Sequence, residues 1–286
     1  MIAPWSAPPQ ARLRTTFHSV WALAADAQGA VEPMVPYGCM DLLVPLRGPV
    51  WRVEGGGAAP ISGPVVVGQT TRPYGLGLGP GACVVGLGFL PHTGHLAGAD
   101  AARHFTDVAV PWADCGASAD ELDRVAEAVG RGASVAEVAG LLQRSVSDRA
   151  ASVRATRAAR HVAEAVRQIL RGGRPEAGAV SARYVQRLFG DYVGVPPRQL
   201  GRIARFLRAL PHVRRAETSL TALAHDLGYH DQAHFCREFR RFAGEPPSAW
   251  RSRTGAVGSF VDAWEGSLPY KPPAADRPTL PPTAAQ

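Results

Sequence analysis

The chain has 286 residues, 46% of them apolar, which is enough for two modest domains with at least one sizeable core. It lacks an 18-residue apolar run, a basic-then-apolar start over Met1 to Gln10, and any CxxC pair among Cys39, Cys83, Cys115 and Cys236. A helical membrane span, a secretory signal, a zinc ribbon and a disulfide scaffold are therefore not expected, and the cysteines fit a reducing cytoplasm.

The net charge of +7 is unevenly spread. Residues 1–148 carry −4, residues 149–256 carry +12 (20 Arg against 8 acidic residues), and residues 257–286 carry −1. A basic block in an otherwise acidic chain suits a polyanion partner or a solvated Arg-rich helical surface. Lys271 is the only Lys among 31 basic residues, and guanidinium forks suit phosphates and guanine edges.

The stretch from about Pro33 to Leu90 reads as β. Asp41 to Val44, Val65 to Val67 and Cys83 to Val85 are short apolar runs, punctuated by Gly48-Pro49, Gly55-Gly56-Gly57, Gly63-Pro64 and Gly79-Pro80-Gly81. Short strands between such turn signals predict a small sandwich or barrel. From about Ala119 to Leu170 the period turns helical: Leu122, Val125 and Val129, then Val135, Val138, Leu141 and Leu142, form stripes. The fold class expected is α+β. A β-rich sandwich or barrel-like domain over 1–118 precedes a helical connector over 119–158 and an all-α domain over 159–256. The stretch from Ser267 to Gln286 holds 6 Pro in 20 residues, which predicts a disordered tail over 257–286.

The most informative stretch is Thr218 to Arg251, TSLTALAHDLGYHDQAHFCREFRRFAGEPPSAWR. Thr218 or Ser219 can cap a helix whose apolar face holds Leu220, Leu223, Ala224 and Leu227. Gly228 sits where a helix stops in the left-handed region. Asp231 can start a second helix over about 231–242, with Phe235, Phe239 and Phe242 at i, i+4, i+7 inside and Gln232, His234, Arg237, Arg240 and Arg241 outside. Gly244 and Pro246-Pro247 end it. Two short helices around a Gly turn, the second lined with Arg and Gln, describe either a helix-turn-helix or a plain antiparallel helix pair. A major groove admits one such helix, and Gln and Arg pair bidentately with adenine and guanine edges.

Ala224, Gly228-Tyr229, Asp231-Gln232, His234-Phe235, Arg237, Phe239-Arg240, Gly244 and Pro246-Pro247 together resemble the C-terminal signature of the AraC/XylS family of transcription regulators. The resemblance implies two helix-turn-helix units bridged by a long helix, and so a sequence-specific regulator that binds double-stranded DNA. Arg198 to Leu210 suits the bridge, with Leu200, Ile203, Phe206, Leu207 and Leu210 on one face. Ser181 to Phe189, followed by Gly194 and Pro196-Pro197, matches the first reading helix. By motif match Arg183, Gln186 and Arg187 face DNA in the first unit, and Gln232, Ala233 and Arg237 in the second; His230 and Arg241 are expected at phosphates. One departure stands out. Arg171 to Val180 (RGGRPEAGAV) is too short and too poor in apolar residues for the first unit's scaffold helix, leaving His161 to Leu170 as the helix before that unit.

Met34 to Asp41, Val65 to Thr71 and Val84 to Pro91 resemble the β-rich N-terminal domain of one group of these regulators. That resemblance implies a small-molecule effector or a homodimer contact. Trp51, Tyr74 and Phe89 either line a pocket or fill the β core, and Asp41 is either a polar pocket residue or a turn cap.

Enzyme readings are thinner. His230 and His234 stand at i, i+4 around Asp231 without the Glu or third ligand of a zincin helix. His92 and His95, with Cys83 and His104 as the nearby ligands, are the other metal candidates. Gly75 to Gly81 lacks the GxGxxG order, and no GxSxG elbow occurs. No cofactor and no enzyme activity are expected. The alternative to a regulator is a β-barrel small-molecule binder or metalloenzyme with an auxiliary helical domain.

Overall fold

The computed structural model describes residues 2–97, 101–152, 156–173, 181–214 and 219–251. The N-terminal half is a two-sheet antiparallel sandwich. Its strands are β1 (Ile2–Ala7), β2 (Phe17–Ala25), β3 (Ala30–Met34), β4 (Asp41–Arg47), β5 (Val50–Glu54), β6 (Gly57–Pro60), β7 (Val65–Val67), β8 (Tyr74–Leu78), β9 (Cys83–Phe89) and β10 (Ala109–Pro111). One sheet runs β1-β2-β9-β4-β7-β10 and the other β3-β8-β5-β6.

The β region therefore begins well before Pro33. Strand β2 was not anticipated because its sequence, FHSVWALAA, shows no in–out alternation. The cause is that the larger sheet is covered on both faces. Trp21, Leu23, Leu43, Val67 and Val84 point toward Met34, Val50, Leu76 and Leu78 of the smaller sheet. Val20, Leu42, Val44, Val66, Val85 and Leu87 point the other way. They meet Val125, Ala128, Val138, Leu142 and Val146 of the helices α2 (Ala119–Gly130) and α3 (Val135–Ser152), which follow the short α1 (Ala101–His104). Ser118 and Glu121 form a complete capping box at the start of α2.

The remaining helices are α4 (Arg157–Leu170), α5 (Ala182–Tyr192), α6 (Pro197–Val213), α7 (Leu220–Asp226), α8 (Gln232–Ala243) and α9 (Pro247–Arg251). Helix α4 packs on α5 and α6 through Val162, Val166, Ile169 and Leu170. It occupies the place left for a helix before the first unit. Arg171 to Gly173 follow it as an exposed turn, while 174–180, the rest of the expected departure, lie outside the described residues, as does the tail over 257–286.

The sheets and the C-terminal helices share one core. Trp21, Met34, Tyr37 and Leu76 belong to the same buried cluster as Ile203, Phe206, Phe235, Phe239 and Trp250. Gly38 lies close against α6. Its φ of +81° is in the left-handed region, and a Cβ there would meet Leu200 Cδ1 at 2.9 Å.

Candidate nucleic-acid interface

Helix α6 is the spine of the C-terminal half. Pro196 precedes it and Pro197 opens it, at the one helical turn where a missing N–H costs nothing. Leu200, Ile203, Phe206, Leu207 and Leu210 are all buried, as the bridging helix requires.

The second unit hangs on this spine. Ser219 caps α7, accepting from the Ala222 amide; Thr218 lies outside the described residues. Leu223 and Ala224 are buried beneath α7. Gly228 has φ +71° and reverses the chain, and its carbonyl accepts from Arg205 Nη1 at 3.2 Å. The Arg205 guanidinium also lies 5.0 Å from the centre of the Tyr229 ring. Asp231 caps α8, accepting from the His234 amide at 2.6 Å. That bond first, and the neighbouring His230 second, hold the Asp231 carboxyl below the usual carboxylate range.

Along α8, Phe235, Phe239 and Phe242 are fully buried at the expected spacing. Phe206 meets Phe239 edge-on with ring centres 5.2 Å apart. Glu238, also buried, accepts from Arg202 Nε at 2.6 Å. The buried row fixes which residues face out: Gln232, Ala233, Arg237, Arg240 and Arg241 are exposed on α8, with His230 exposed just before it. His234 is half-buried and lies edge-on to Tyr229.

Helix α5 of the first unit is capped by Ser181, which accepts from the Tyr184 amide. Leu188 and Phe189 are buried, while Arg183, Gln186 and Arg187 are exposed. The far end of α5 is tied to the sandwich. Arg103 pairs with Asp191, Thr106 Oγ1 donates to the Gly194 carbonyl at 2.8 Å, and the His95 ring meets Tyr192 at 4.8 Å. Docking thus uses the C-terminal end of α5, while the three candidate side chains nearer its start are exposed.

Sequence reasoning missed Thr221, whose hydroxyl donates to Gln232 Oε1 at 2.7 Å, and Arg205, which braces the turn. Thr221 stands 11 residues before its partner. The helix-turn-helix pattern was the one signal that could have paired them.

The other candidates fall into the core. Phe89 packs on Phe17, and Tyr74 is buried under the Arg52 guanidinium at 4.3 Å; Trp51 is half-buried. Asp41 caps no turn. It opens β4, wholly buried, and accepts from Trp21 Nε1 at 2.9 Å and from the Tyr37 hydroxyl. Burial drives its pKa up to about 7 against the downward pull of those two hydrogen bonds. His92 and His95 lie in the turn Pro91–Ala97, and burial, then the charge of His95, pushes His92 down to about 4. Among the described residues no three His, Cys, Asp or Glu side chains gather to hold a metal ion.

A helix-turn-helix domain family matches residues 176–253. Residues 176–253 are an AraC-type helix-turn-helix domain. The chain is accordingly a DNA-binding transcription regulator, of a kind that is not usually an enzyme. Residues 6–111, spanning the sandwich, match a domain family of unknown function (DUF6597). No curated protein matches the chain. Among solved structures, ToxT from Vibrio cholerae is similar over 82% of this chain and 96% of its own, at 11% identity and a TM-score of 0.41. An unsaturated-fatty-acid-bound ToxT is similar over 88% and 94%, at 11% identity and 0.41. The AraC-like activator CuxR is similar over 92% and 91%, at 11% identity and 0.25. Among the described residues no helix is long and apolar enough to cross a membrane.

Proposed function

We propose that α8 of the AraC-type domain reads base edges in a major groove, with α5 reading or anchoring at a second point along the same duplex. The observation that supports this most is the outward row on α8. The buried Phe235, Phe239 and Phe242 and the Arg202–Glu238 pair leave the helix one orientation, in which Gln232, Ala233 and Arg237 face out together. Arg237 is the side chain suited to a guanine edge, Gln232 is a second base contact, and Ala233 can touch a thymine methyl. His230 and Arg241 flank them as phosphate contacts, and Arg183, Gln186 and Arg187 form the matching set on α5.

In this reading residues 159–256 are the DNA-binding domain, residues 119–158 the connector, and residues 1–118 the controlling domain. The chain works in the cytoplasm without catalysis, and the sandwich senses a small molecule or joins a second copy. The contact of Gly38 with Leu200 supports that assignment, because it gives the sandwich a direct hold on the bridging helix.

Selection of duplexes from a random pool tests the assignment. Arg237→Ala should weaken binding to the selected duplex by roughly 1–3 kcal/mol and relax preference at one base position. A loss of equal size on every sequence would make Arg237 a phosphate contact instead.

A further inference from the structure

The first side chain of α8 is an amide whose two ends are not equivalent. The Thr221 hydroxyl donates to Gln232 Oε1 at 2.7 Å, and both side chains are exposed. Each stands in the first turn of a helix whose start is fixed by a side-chain cap, Ser219 for α7 and Asp231 for α8. The contact therefore joins two anchored backbones rather than two loose side chains.

An amide is planar, with its oxygen and nitrogen diverging from one carbon. The Thr221 hydroxyl takes one of the two lone pairs of that oxygen and orients the amide plane, so the NH2 group is the end with its hydrogen-bonding capacity wholly uncommitted to α7. Bidentate pairing with adenine needs both ends at one base edge: the oxygen accepting from N6 and the NH2 donating to N7. An NH2 group alone suits an edge made of acceptors, which in the major groove means guanine N7 and O6 or thymine O4.

We infer that Thr221 sets the base preference of Gln232 by engaging its Oε1, so that Gln232 serves as a donor to guanine or thymine rather than as the bidentate partner of adenine. The inference rests on α8 being the base-reading helix. Thr221 acts through Gln232 and is a positioning residue.

The test selects duplexes from a random pool with the full chain, comparing wild type, Gln232→Ala, Thr221→Val, Thr221→Ala and Thr221→Ser. Gln232→Ala identifies the base position by flattening its preference. At that position wild type and Thr221→Ser should enrich guanine or thymine. Thr221→Val and Thr221→Ala should gain adenine about tenfold, within the range a bidentate pair supports. The inference is overturned if the variants without a hydroxyl keep the wild-type preference there, even with weaker binding overall, or if wild type already enriches adenine. If Gln232→Ala flattens no position, Gln232 does not read a base. That failure belongs to the reading of α8 and is distinct from an unchanged preference in the Thr221 variants.

Discussion

Arg202 on the bridging helix donates from Nε to Glu238 Oε2 on the reading helix at 2.6 Å, with the Glu238 side chain 4% exposed and that of Arg202 28% exposed. Arg202 also lies over the Phe242 ring at 5.6 Å. A carboxylate this deep is tolerated because its partner is present; removing the partner strands a buried charge. Arg202→Ala should therefore destabilise the C-terminal helices by about 2–4 kcal/mol, with Arg202's partial exposure keeping the loss below the upper end for a buried pair. Glu238→Gln, which keeps an acceptor without the charge, should cost less. Chemical denaturation of the three proteins checks the order.

Gly228 offers a cleaner separation of strain from packing. A Cβ at this position meets nothing within 4 Å, yet φ is +71°. Gly228→Ala should thus cost only the left-handed backbone penalty, about 1 kcal/mol. A shift in thermal midpoint of a few degrees would agree; unfolding of the whole second unit would show that the turn carries packing as well.

Two buried groups should make stability depend on pH in opposite directions. Asp41 is raised to about 7, so the folded state holds its proton more tightly than the unfolded chain does. Its contribution is fully present near pH 4 and is lost as pH rises to about 7. His92 is lowered to about 4, so the unfolded chain takes up the proton first, and stability falls as pH drops from about 6.5 toward 4. Each group alone gives a slope of at most about 1.4 kcal/mol per pH unit, and in wild type the two offset across their shared window. Burial lowers His95 as well and gives it a slope of the same sign as His92, so Asp41→Asn should leave stability rising with pH between 4 and 6.5, and His92→Gln should tilt the profile toward falling relative to wild type. Unfolding free energies at several pH values read both slopes.

The second unit was legible because several local signals agree there. The Phe spacing, the Asp231 cap, Gly228 and the outward arginines all specify the same helix pair, and Pro197 with the Leu200 to Leu210 stripe specifies the bridge. The sandwich was legible only where its strands lie between glycine and proline turns. Strand β2 escaped because Phe17 to Ala25 is covered on both faces and so shows no alternation. The shared core of sheet and helices, and the tie between Arg103 and Asp191, depend on tertiary approach, which leaves no local period. The same holds for Thr221 and Gln232: each residue type is unremarkable where it stands, and only the turn brings them together.

We propose that the AraC-type domain binds DNA by sequence through α8. The measurement that decides this is binding of the full chain to a selected duplex and to a scrambled duplex of equal length, each across salt concentrations. Both affinities should fall steeply as salt rises, because arginines release counterions from phosphates. The selected duplex should stay about a thousandfold tighter or more, and Arg237→Ala should narrow that gap by roughly 1–3 kcal/mol, about 5- to 150-fold, with little change in affinity for the scrambled duplex. Equal affinity for the two duplexes in wild type, or a gap untouched by Arg237→Ala together with Gln232→Ala, would contradict it.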